Sequence, residues 1–299
     1  MKYAILTHGG AASPNAYADS CQAAAESARI VLEKGGDAFA AALTATAALE
    51  DDPRFNAGTG SNLRLDGATI EMDASVMTSD ARFGAVACIQ RVKNPILVAA
   101  RVMETPHLML VGEGATAFAR RLGFPDFDPT TEGARRKYER AVAELRGRGD
   151  GDKDYGTLAA PWKHAPPKLF WNFPGEPLEC DTVGAVVRDG HGRFAATAST
   201  GGTLYMLRGR VGDSPLMGCG VYAGPDGAVA ATGVGEEIVR RFLSKTVYDW
   251  LAEGIAPARA AQRAIALFPD VVEIGLLVVG RQGQAIASNR DMASAQLLG

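Results

Sequence analysis

The segment from about Arg146 to Cys180 interrupts every regular pattern in this chain. It contains clustered glycines and then five prolines over residues 161–177, with charged residues throughout, and neither strand nor helix periodicity survives in it. A connection of this length without secondary structure is uncommon inside a compact domain and is usually functional or mobile. We therefore predict a flexible linker over residues 146–181, between two well-patterned parts of a single domain that spans residues 1–299.

Outside this linker, helical patterns come in consecutive pairs and strand patterns come in hairpins. Helices are predicted over residues 19–34, 37–50 (capped by Asp37), 94–104, 113–122 and 256–267, with a long one from about Glu236, and strands over residues 3–7, 70–77, 84–89, 182–188, 194–200, 218–223, 228–232, 271–279 and 284–288. This order lacks the strand–helix alternation of a parallel α/β protein. It predicts an α+β fold with two layers of antiparallel sheet between layers of helices.

Composition narrows the classes of function. Hydrophobic residues make up 47% of the chain and the net charge is −3, so a sizeable core can form and no broad basic field is available to attract nucleic acid. No apolar stretch is as long as the roughly 18 residues of a membrane span, and none has the pattern of a signal peptide. The four cysteines are scattered without metal or disulfide spacing. These features predict a cytoplasmic protein that acts on small molecules.

Thr182 is the first residue of a predicted strand, directly after the linker. If His191 is the centre of the hairpin loop, Thr182 faces Thr200 with about 5 Å between their β-carbons. Threonine pairs are common in sheets, so the pair alone does not indicate a site. Its position does, because breakage of the Asp181–Thr182 bond would leave a hydroxyl and a free α-amine on one residue. Such an amine titrates at about pH 8 and can activate the hydroxyl as a nucleophile.

Two further segments carry candidate binding groups. At residues 231–236 the chain leaves a strand and enters a helix, where the Thr232 hydroxyl and the Gly233 N–H could stabilise an oxyanion. Arg210 and Asp213 lie in a loop bounded by glycine and proline, and could hold the carboxylate and the ammonium of a small amino acid. A glycine turn or a surface salt bridge would explain each feature equally well by itself.

The remaining polar residues give weaker indications. The four histidines lack the spacing of a metal site or a catalytic triad, so each is expected to be structural or solvated. Glu71 and Asp73 alternate along one predicted strand. They could form a carboxylate pair, but a solvated strand face is the preferred interpretation.

Six segments in chain order resemble the plant-type asparaginase, or isoaspartyl peptidase, family of amino-terminal-nucleophile hydrolases. They are THGGA at residues 7–11, FNAG at 55–58, DTVGAV at 181–186, STGG at 199–202, GRVGDSP at 209–215 and TGVGE at 232–236. One such segment would be a weak signal, whereas six in register are specific.

This resemblance implies a four-layer αββα sandwich of the amino-terminal-nucleophile hydrolase type. It implies cleavage between Asp181 and Thr182 into an α-subunit of residues 1–181 and a β-subunit of residues 182–299, assembled as a homodimer of cleaved units. By the same resemblance Thr182 is the nucleophile, oriented by Thr200 and supported by Asn56. The oxyanion hole is formed by Thr232 and Gly233. The aspartyl part of the substrate is held by Arg210, Asp213 and Gly235.

The resemblance implies no cofactor for catalysis, but it does imply a structural sodium ion. In relatives the corresponding loop wraps sodium with main-chain oxygens, which here would come from Leu49, Glu50, Asp52, Phe55, Ala57 and Thr59. The chain departs from the family after Gly202. It reads TLYML over residues 203–207, where many relatives carry a polar Met-Thr-Asn-Lys run, so the preferred leaving group stays open.

The implied activity is hydrolysis of L-asparagine or β-aspartyl dipeptides through a β-aspartyl ester of the enzyme, with release of L-aspartate. Alternatives are cleavage of the sugar–asparagine bond, as in glycosylasparaginases, and site-specific proteolysis of the threonine-aspartase kind. A catalytically silent binding protein of the same fold is an alternative from another class.

Overall fold

The computed structural model describes residues 3–64, 66–147, 182–204 and 206–299, with only the backbone described over 142–147. Most of the predicted linker, together with Cys180 and Asp181, lies outside the described residues. At its start the linker prediction is wrong by two residues, because a helix continues to Gly147.

In the described part of the chain, strands and helices alternate irregularly. The strands are β1 (Ala4–His8), β2 (Met72–Thr78), β3 (Phe83–Ile89), β4 (Met109–Val111), β5 (Val183–Arg188), β6 (Phe194–Thr200), β7 (Val221–Gly224), β8 (Gly227–Gly233), β9 (Ile274–Gly280), β10 (Gly283–Ser288) and β11 (Ser294–Leu298). The α-helices are α1 (Ala18–Glu33), α2 (Ala38–Asp51), α3 (Pro95–Val102), α4 (Gly112–Arg121), α5 (Glu132–Gly147), α6 (Gly235–Arg241), α7 (Leu243–Ala252) and α8 (Pro257–Ile265).

The strands form two sheets. A seven-stranded sheet has the order β11-β1-β5-β6-β2-β3-β4, and a four-stranded sheet has the order β10-β9-β8-β7. Strand pairs are antiparallel except for β3 and β4, which are parallel and joined through α3. The prediction of a mixed α+β fold is confirmed, although β4, β11 and α5 were not predicted.

Apolar clusters lie between the two sheets and between each sheet and its helices. Leu6 and Val186 of the larger sheet meet Ala230 and Leu277 of the smaller one. On its other face the larger sheet packs against α1 and α2, and further along against α3 and α4. The smaller sheet packs against α7 and α8. Strands such as β1 and β5 are therefore buried on both faces, which explains the apolar runs over residues 4–6 and 183–187.

Helix α2 runs through the core beneath β5 and β6. Asp37 caps it as predicted, with its Oδ1 accepting from the Ala40 N–H at 2.9 Å. Its buried face consists mainly of alanines, which allow close approach to the sheet. The Thr46 hydroxyl meets the Thr197 hydroxyl at 2.7 Å, so a polar contact also ties this helix to β6.

The predicted long helix from Glu236 is wrong in one respect. Phe242 adopts a left-handed conformation with φ 45°, and this residue separates the seven-residue α6 from α7. The αL conformation ends α6 because backbone dihedrals of this hand cannot continue a right-handed helix.

Among the described helices, none has both the length and the apolar character needed to cross a membrane. Cys21, Cys88 and Cys219 are buried and unpaired.

Gly84 in β3 provides a test of this packing. A β-carbon there would collide with the Ala99 carbonyl and lie 3.0 Å from the Met103 backbone nitrogen, because α3 crosses closely over the strand. We expect Gly84→Ala to lower the free energy of unfolding by about 1–3 kcal/mol, the range for overpacking. The exposed Gly114 in α4 has open space, so Gly114→Ala should be neutral or stabilising by up to about 1 kcal/mol. Denaturant unfolding of both variants measures the difference, and equal effects would contradict the close crossing.

Candidate active site

Thr182 is the first residue described after residue 147, and it directly precedes β5. The register of β5 on β6 pairs Val183 with Ser199, which leaves Thr182 beside Thr200. The predicted hairpin register is therefore confirmed. Thr182 is buried, with 5% of its surface exposed, and its Oγ1 donates to Thr200 Oγ1 at 3.3 Å.

The turn after Thr200 holds the second hydroxyl in place. The Gly202 N–H donates to Thr200 Oγ1 at 2.9 Å. Asn56 holds this turn at two points. Its main-chain carbonyl accepts from the Gly201 N–H at 2.8 Å, and its side-chain Nδ2 donates to the Gly202 carbonyl. The Asn62 N–H in turn fixes Asn56 Oδ1 at 2.8 Å. The structure thus brings Asn56 to the hydroxyl pair through the backbone of the turn.

Thr232, at the end of β8, reaches the same corner through the loop after β1. β1 pairs antiparallel with β5 and ends with His8 opposite Gly184, two residues from Thr182, and the chain then turns through Gly10. The next residue, Ala11, donates its N–H to Thr232 Oγ1 at 3.2 Å. Gly233 follows with φ 133°, a conformation that requires glycine, and the Glu273 carbonyl leaves no room for a side chain.

Arg210, Asp213 and Gly235 also come together. A β-carbon on Gly235 would lie 2.8 Å from Asp213 Oδ1 and 3.0 Å from Arg210 Nη2. The guanidinium of Arg210 donates from Nε and Nη2 to the two carboxylate oxygens of Glu236, at 2.9 and 2.8 Å. Sequence reasoning missed this role of Glu236, although the residue belongs to the TGVGE segment and could have been found as its only charged member.

Asp213 is a buried carboxyl group whose pKa is raised by its surroundings. It is 5% exposed, and its Oδ2 is buried without a hydrogen-bond partner. Burial raises the pKa of Asp213 to about 7, while the positive charge of Arg210 opposes the shift. An unsatisfied carboxylate oxygen beside a guanidinium is suited to accept from a ligand's ammonium group.

The preference for a solvated face at Glu71 and Asp73 is wrong. Both are buried, at 5% and 1% exposure, because β2 lies inside the larger sheet between β6 and β3 and both of its faces are covered. Glu71 forms an ion pair with Arg64, which is itself buried. Asp73 Oδ1 accepts from the Cys88 N–H at 2.8 Å. Arg64 lies in a segment without helix or strand, so no periodic pattern predicted its burial.

His8 is buried and lies against Thr182. It is fully buried, and its Nδ1 accepts from the Gly10 N–H at 3.1 Å. Burial lowers the pKa of His8 to about 3, and the nearby Thr182 backbone only partly opposes this shift. The imidazole is therefore neutral at physiological pH.

The loop from Leu49 to Thr59 closes on itself through backbone hydrogen bonds. The Thr59 N–H donates to the Glu50 carbonyl at 2.8 Å and the Phe55 N–H donates to the Asp52 carbonyl at 3.2 Å. Thr59 Oγ1 is buried without a partner. Burial raises the pKa of the Glu50 carboxyl to about 8, and its Oε1 accepts from Ser199 Oγ at 2.6 Å, next to Thr200.

The described residues contain no side-chain metal site, and a cavity among them lies away from the threonine cluster. Within the described ranges, no group of three His, Cys, Asp or Glu side chains is placed to hold a metal ion. A cavity of about 560 Å³, lined by Arg188, His191, Pro225 and Arg281 among others, lies at the loop end of the β5–β6 hairpin. Thr182 is at the opposite end of that hairpin, so this cavity does not belong to the threonine cluster.

Comparisons with known proteins identify relatives of this chain. The family model described as Asparaginase matches residues 1–297. The chain is 43% identical over 259 residues to the plant-type L-asparaginase of Pyrococcus furiosus, a match that covers 84% of this chain and 79% of the relative. It is 36% identical over 296 residues to the isoaspartyl peptidase/L-asparaginase of Danio rerio, covering 93% of this chain and 86% of the relative.

The human protein of the same name, isoaspartyl peptidase/L-asparaginase, is 35% identical over 302 aligned positions, covering 96% of this chain and 90% of the relative. Because the family model covers nearly the whole chain and these relatives share more than a third of their residues with it, the chain belongs to the asparaginase family.

Proposed function

We propose that this chain cleaves itself before Thr182 and then hydrolyses L-asparagine and β-aspartyl dipeptides, releasing L-aspartate. The observation that carries the proposal is the hydroxyl of Thr182, held 3.3 Å from that of Thr200 at the start of a buried strand. The names of the relatives support this activity. Cleavage gives an α-subunit of residues 1–181 and a β-subunit of residues 182–299, which begins with the nucleophile.

The chemistry proceeds in two steps. Thr182 Oγ1 attacks the side-chain acyl carbon of the substrate, and its proton passes to the free α-amine of the same residue. The protonated amine then gives this proton to the leaving group, which departs as ammonia or as the amino group of the next residue. Water attacks the resulting β-aspartyl ester with the amine again as base, which releases aspartate and restores the threonine.

The surrounding residues have distinct roles in these steps. Thr200 orients the attacking oxygen, and the turn clamped by Asn56 supports Thr200. The Thr232 hydroxyl and the Gly233 N–H stabilise the oxyanion that forms at the acyl carbon. Arg210 holds the α-carboxylate of the substrate, while Asp213 and the Gly235 carbonyl accept from its α-ammonium.

We place this chemistry on a four-layer αββα sandwich of the amino-terminal-nucleophile hydrolase type. The apolar clusters between the two sheets, and between each sheet and its helices, support that assignment. We also propose a homodimer of cleaved units, for which light scattering should give about twice the mass of one chain. The cytoplasmic location stays a prediction.

We further propose a structural sodium ion in the loop from Leu49 to Thr59. Its ligands would be main-chain oxygens of Leu49, Glu50, Asp52, Phe55, Ala57 and Thr59. Carbonyl and hydroxyl oxygens suit a hard cation, and the unpartnered Thr59 Oγ1 adds a buried polar atom that needs a partner. The ion would brace the loop that carries Asn56. Removal of sodium should lower the unfolding temperature, and an unchanged temperature would count against the ion.

Intact mass spectrometry tests the cleavage. After purification and incubation, the wild-type chain should give two fragments, residues 1–181 and 182–299, because Thr182 attacks its own preceding peptide bond. Thr182→Ala removes the attacking oxygen and should remain one chain. A fully active wild-type protein that stays uncut would overturn the proposed mechanism.

Turnover assays test the substrate and separate the alternatives. Ammonia release from L-asparagine and aspartate release from β-aspartyl dipeptides should both fall by roughly 100-fold or more in cleaved Thr200→Val, because the nucleophile loses its orienting hydroxyl. Thr197→Val is the matched control, since its hydroxyl bonds Thr46 on the other face of β6. Preferred turnover of a glycosylated asparagine or of an aspartyl peptide would support another hydrolase, and no turnover at all would support a silent binding protein.

The pH dependence of product binding tests Asp213. Because burial raises the pKa of this carboxyl to about 7, lowering the pH through that value protonates the acceptor for the ammonium group. The affinity for L-aspartate, measured by calorimetry, should therefore fall below about pH 7. Asp213→Asn should bind weakly at every pH and lose this dependence. An affinity that is flat between pH 8 and pH 5.5 in the wild type would contradict the role of Asp213.

A further inference from the structure

A buried arginine, Arg64, contacts both halves of the proposed site. The residue is 1% exposed. Its Nε donates to Glu71 Oε2 at 3.1 Å, its Nη2 to the Glu71 carbonyl at 2.7 Å, and its Nη1 to the Gly201 carbonyl at 3.0 Å. Nη1 also lies 3.5 Å from Met206 Sδ. A planar guanidinium can hold several partners in fixed directions at once, which a lysine ammonium cannot do.

On one side, Arg64 holds the turn that follows Thr200. The Gly201 carbonyl belongs to the turn in which the Gly202 N–H donates to Thr200 Oγ1 at 2.9 Å. Gly202 has φ 82°, and a β-carbon there would lie 2.8 Å from Arg64 Nη1 and 2.6 Å from Met206 Sδ. The turn is therefore packed directly on the guanidinium. Any shift of Arg64 moves the atoms that direct the Thr200 hydroxyl towards Thr182.

On the other side, Glu71 extends the contact to the loop that carries Arg210. The same Glu71 Oε2 that accepts from Arg64 accepts from the Gly209 N–H at 2.7 Å. Asp73 Oδ2 accepts from the Gly212 N–H at 3.4 Å. The backbone is thus held by a buried carboxylate on each side of Arg210. Buried charges are screened little by solvent and salt, so these links remain stiff under ordinary conditions.

We propose that Arg64 is a positioning residue which, together with Glu71, sets the distance between the Thr182–Thr200 hydroxyl pair and Arg210. This inference rests on the proposed function, since the distance matters only when one substrate is held at Arg210 and attacked at Thr182. The α-carboxylate and the side-chain acyl carbon of an aspartyl group are joined by a few bonds. The protein therefore has to keep its two contact points at one matching separation, and a displacement of about 1 Å can cost roughly 100-fold in rate.

Two variants and a control test this role. Arg64→Lys keeps a cation beside Glu71 but cannot also hold the Gly201 carbonyl. The double variant Arg64→Met with Glu71→Gln removes both charges of this ion pair together, so that neither partner is left behind as a lone charge. The control, Arg193→Met, breaks the ion pair with Asp189 at the far loop of the β5–β6 hairpin. For each protein, mass spectrometry establishes cleavage, thermal unfolding establishes folding, and steady-state assays give kcat and KM for L-asparagine and a β-aspartyl dipeptide.

We expect both Arg64 variants to lower kcat by about 10- to 100-fold, with a smaller change in KM, since Arg210 still binds the carboxylate but at the wrong distance. Arg193→Met should keep both constants, whatever its stability. A folded, cleaved Arg64 variant with kcat within about threefold of the wild type overturns the inference, as does a change confined to KM or to the unfolding temperature. If the double variant does not fold, Arg64→Lys decides. A wild-type protein without turnover of either substrate would instead contradict the proposed function.

Discussion

The backbone ladder between β5 and β6 is the interaction on which the rest of the site depends. It pairs Val183 with Ser199 and so leaves the two hydroxyls of Thr182 and Thr200 side by side. A slip of one residue would turn Thr182 to the other face of the sheet. Such a slip is disfavoured because β5 is paired with β1 on one edge and with β6 on the other, so both backbone ladders would have to shift. The sheet thereby holds a polar reacting group in one place.

Burial then determines the chemical state of the groups around this pair. It raises the pKa of Asp213 to about 7 and lowers that of His8 to about 3, so one group titrates near neutrality and the other stays uncharged. Glu71 forms an ion pair with Arg64, and Arg210 forms one with Glu236. A buried charge destabilises the fold unless it is paired. Each of these charged groups therefore has a partner, or, as in Asp213, an oxygen that a ligand can pair with.

Local sequence signals predicted much of the fold. Asp37 as a cap, the alternating hairpin strands and the helical spacing of α1 and α2 are all readable from neighbouring residues. The helix break at Phe242 and the short strands β4 and β11 were not, since their conformation depends on packing against distant elements. Glu71 and Asp73 were wrongly expected to be solvated, because period-two alternation cannot tell whether the second face of a strand is covered.

The sequence by itself predicted the hairpin register, and with it the pairing of Thr182 and Thr200, because the length of a short hairpin loop fixes which residues of the two strands face each other. Its six family segments determined which residues to look for. Only the tertiary structure decided that Arg64 contacts the Gly201 carbonyl, 137 residues away, and that Arg210 is paired with Glu236. Such contacts have no periodicity along the chain. They exist because separate loops are brought to one edge of packed sheets, where buried charges must find partners.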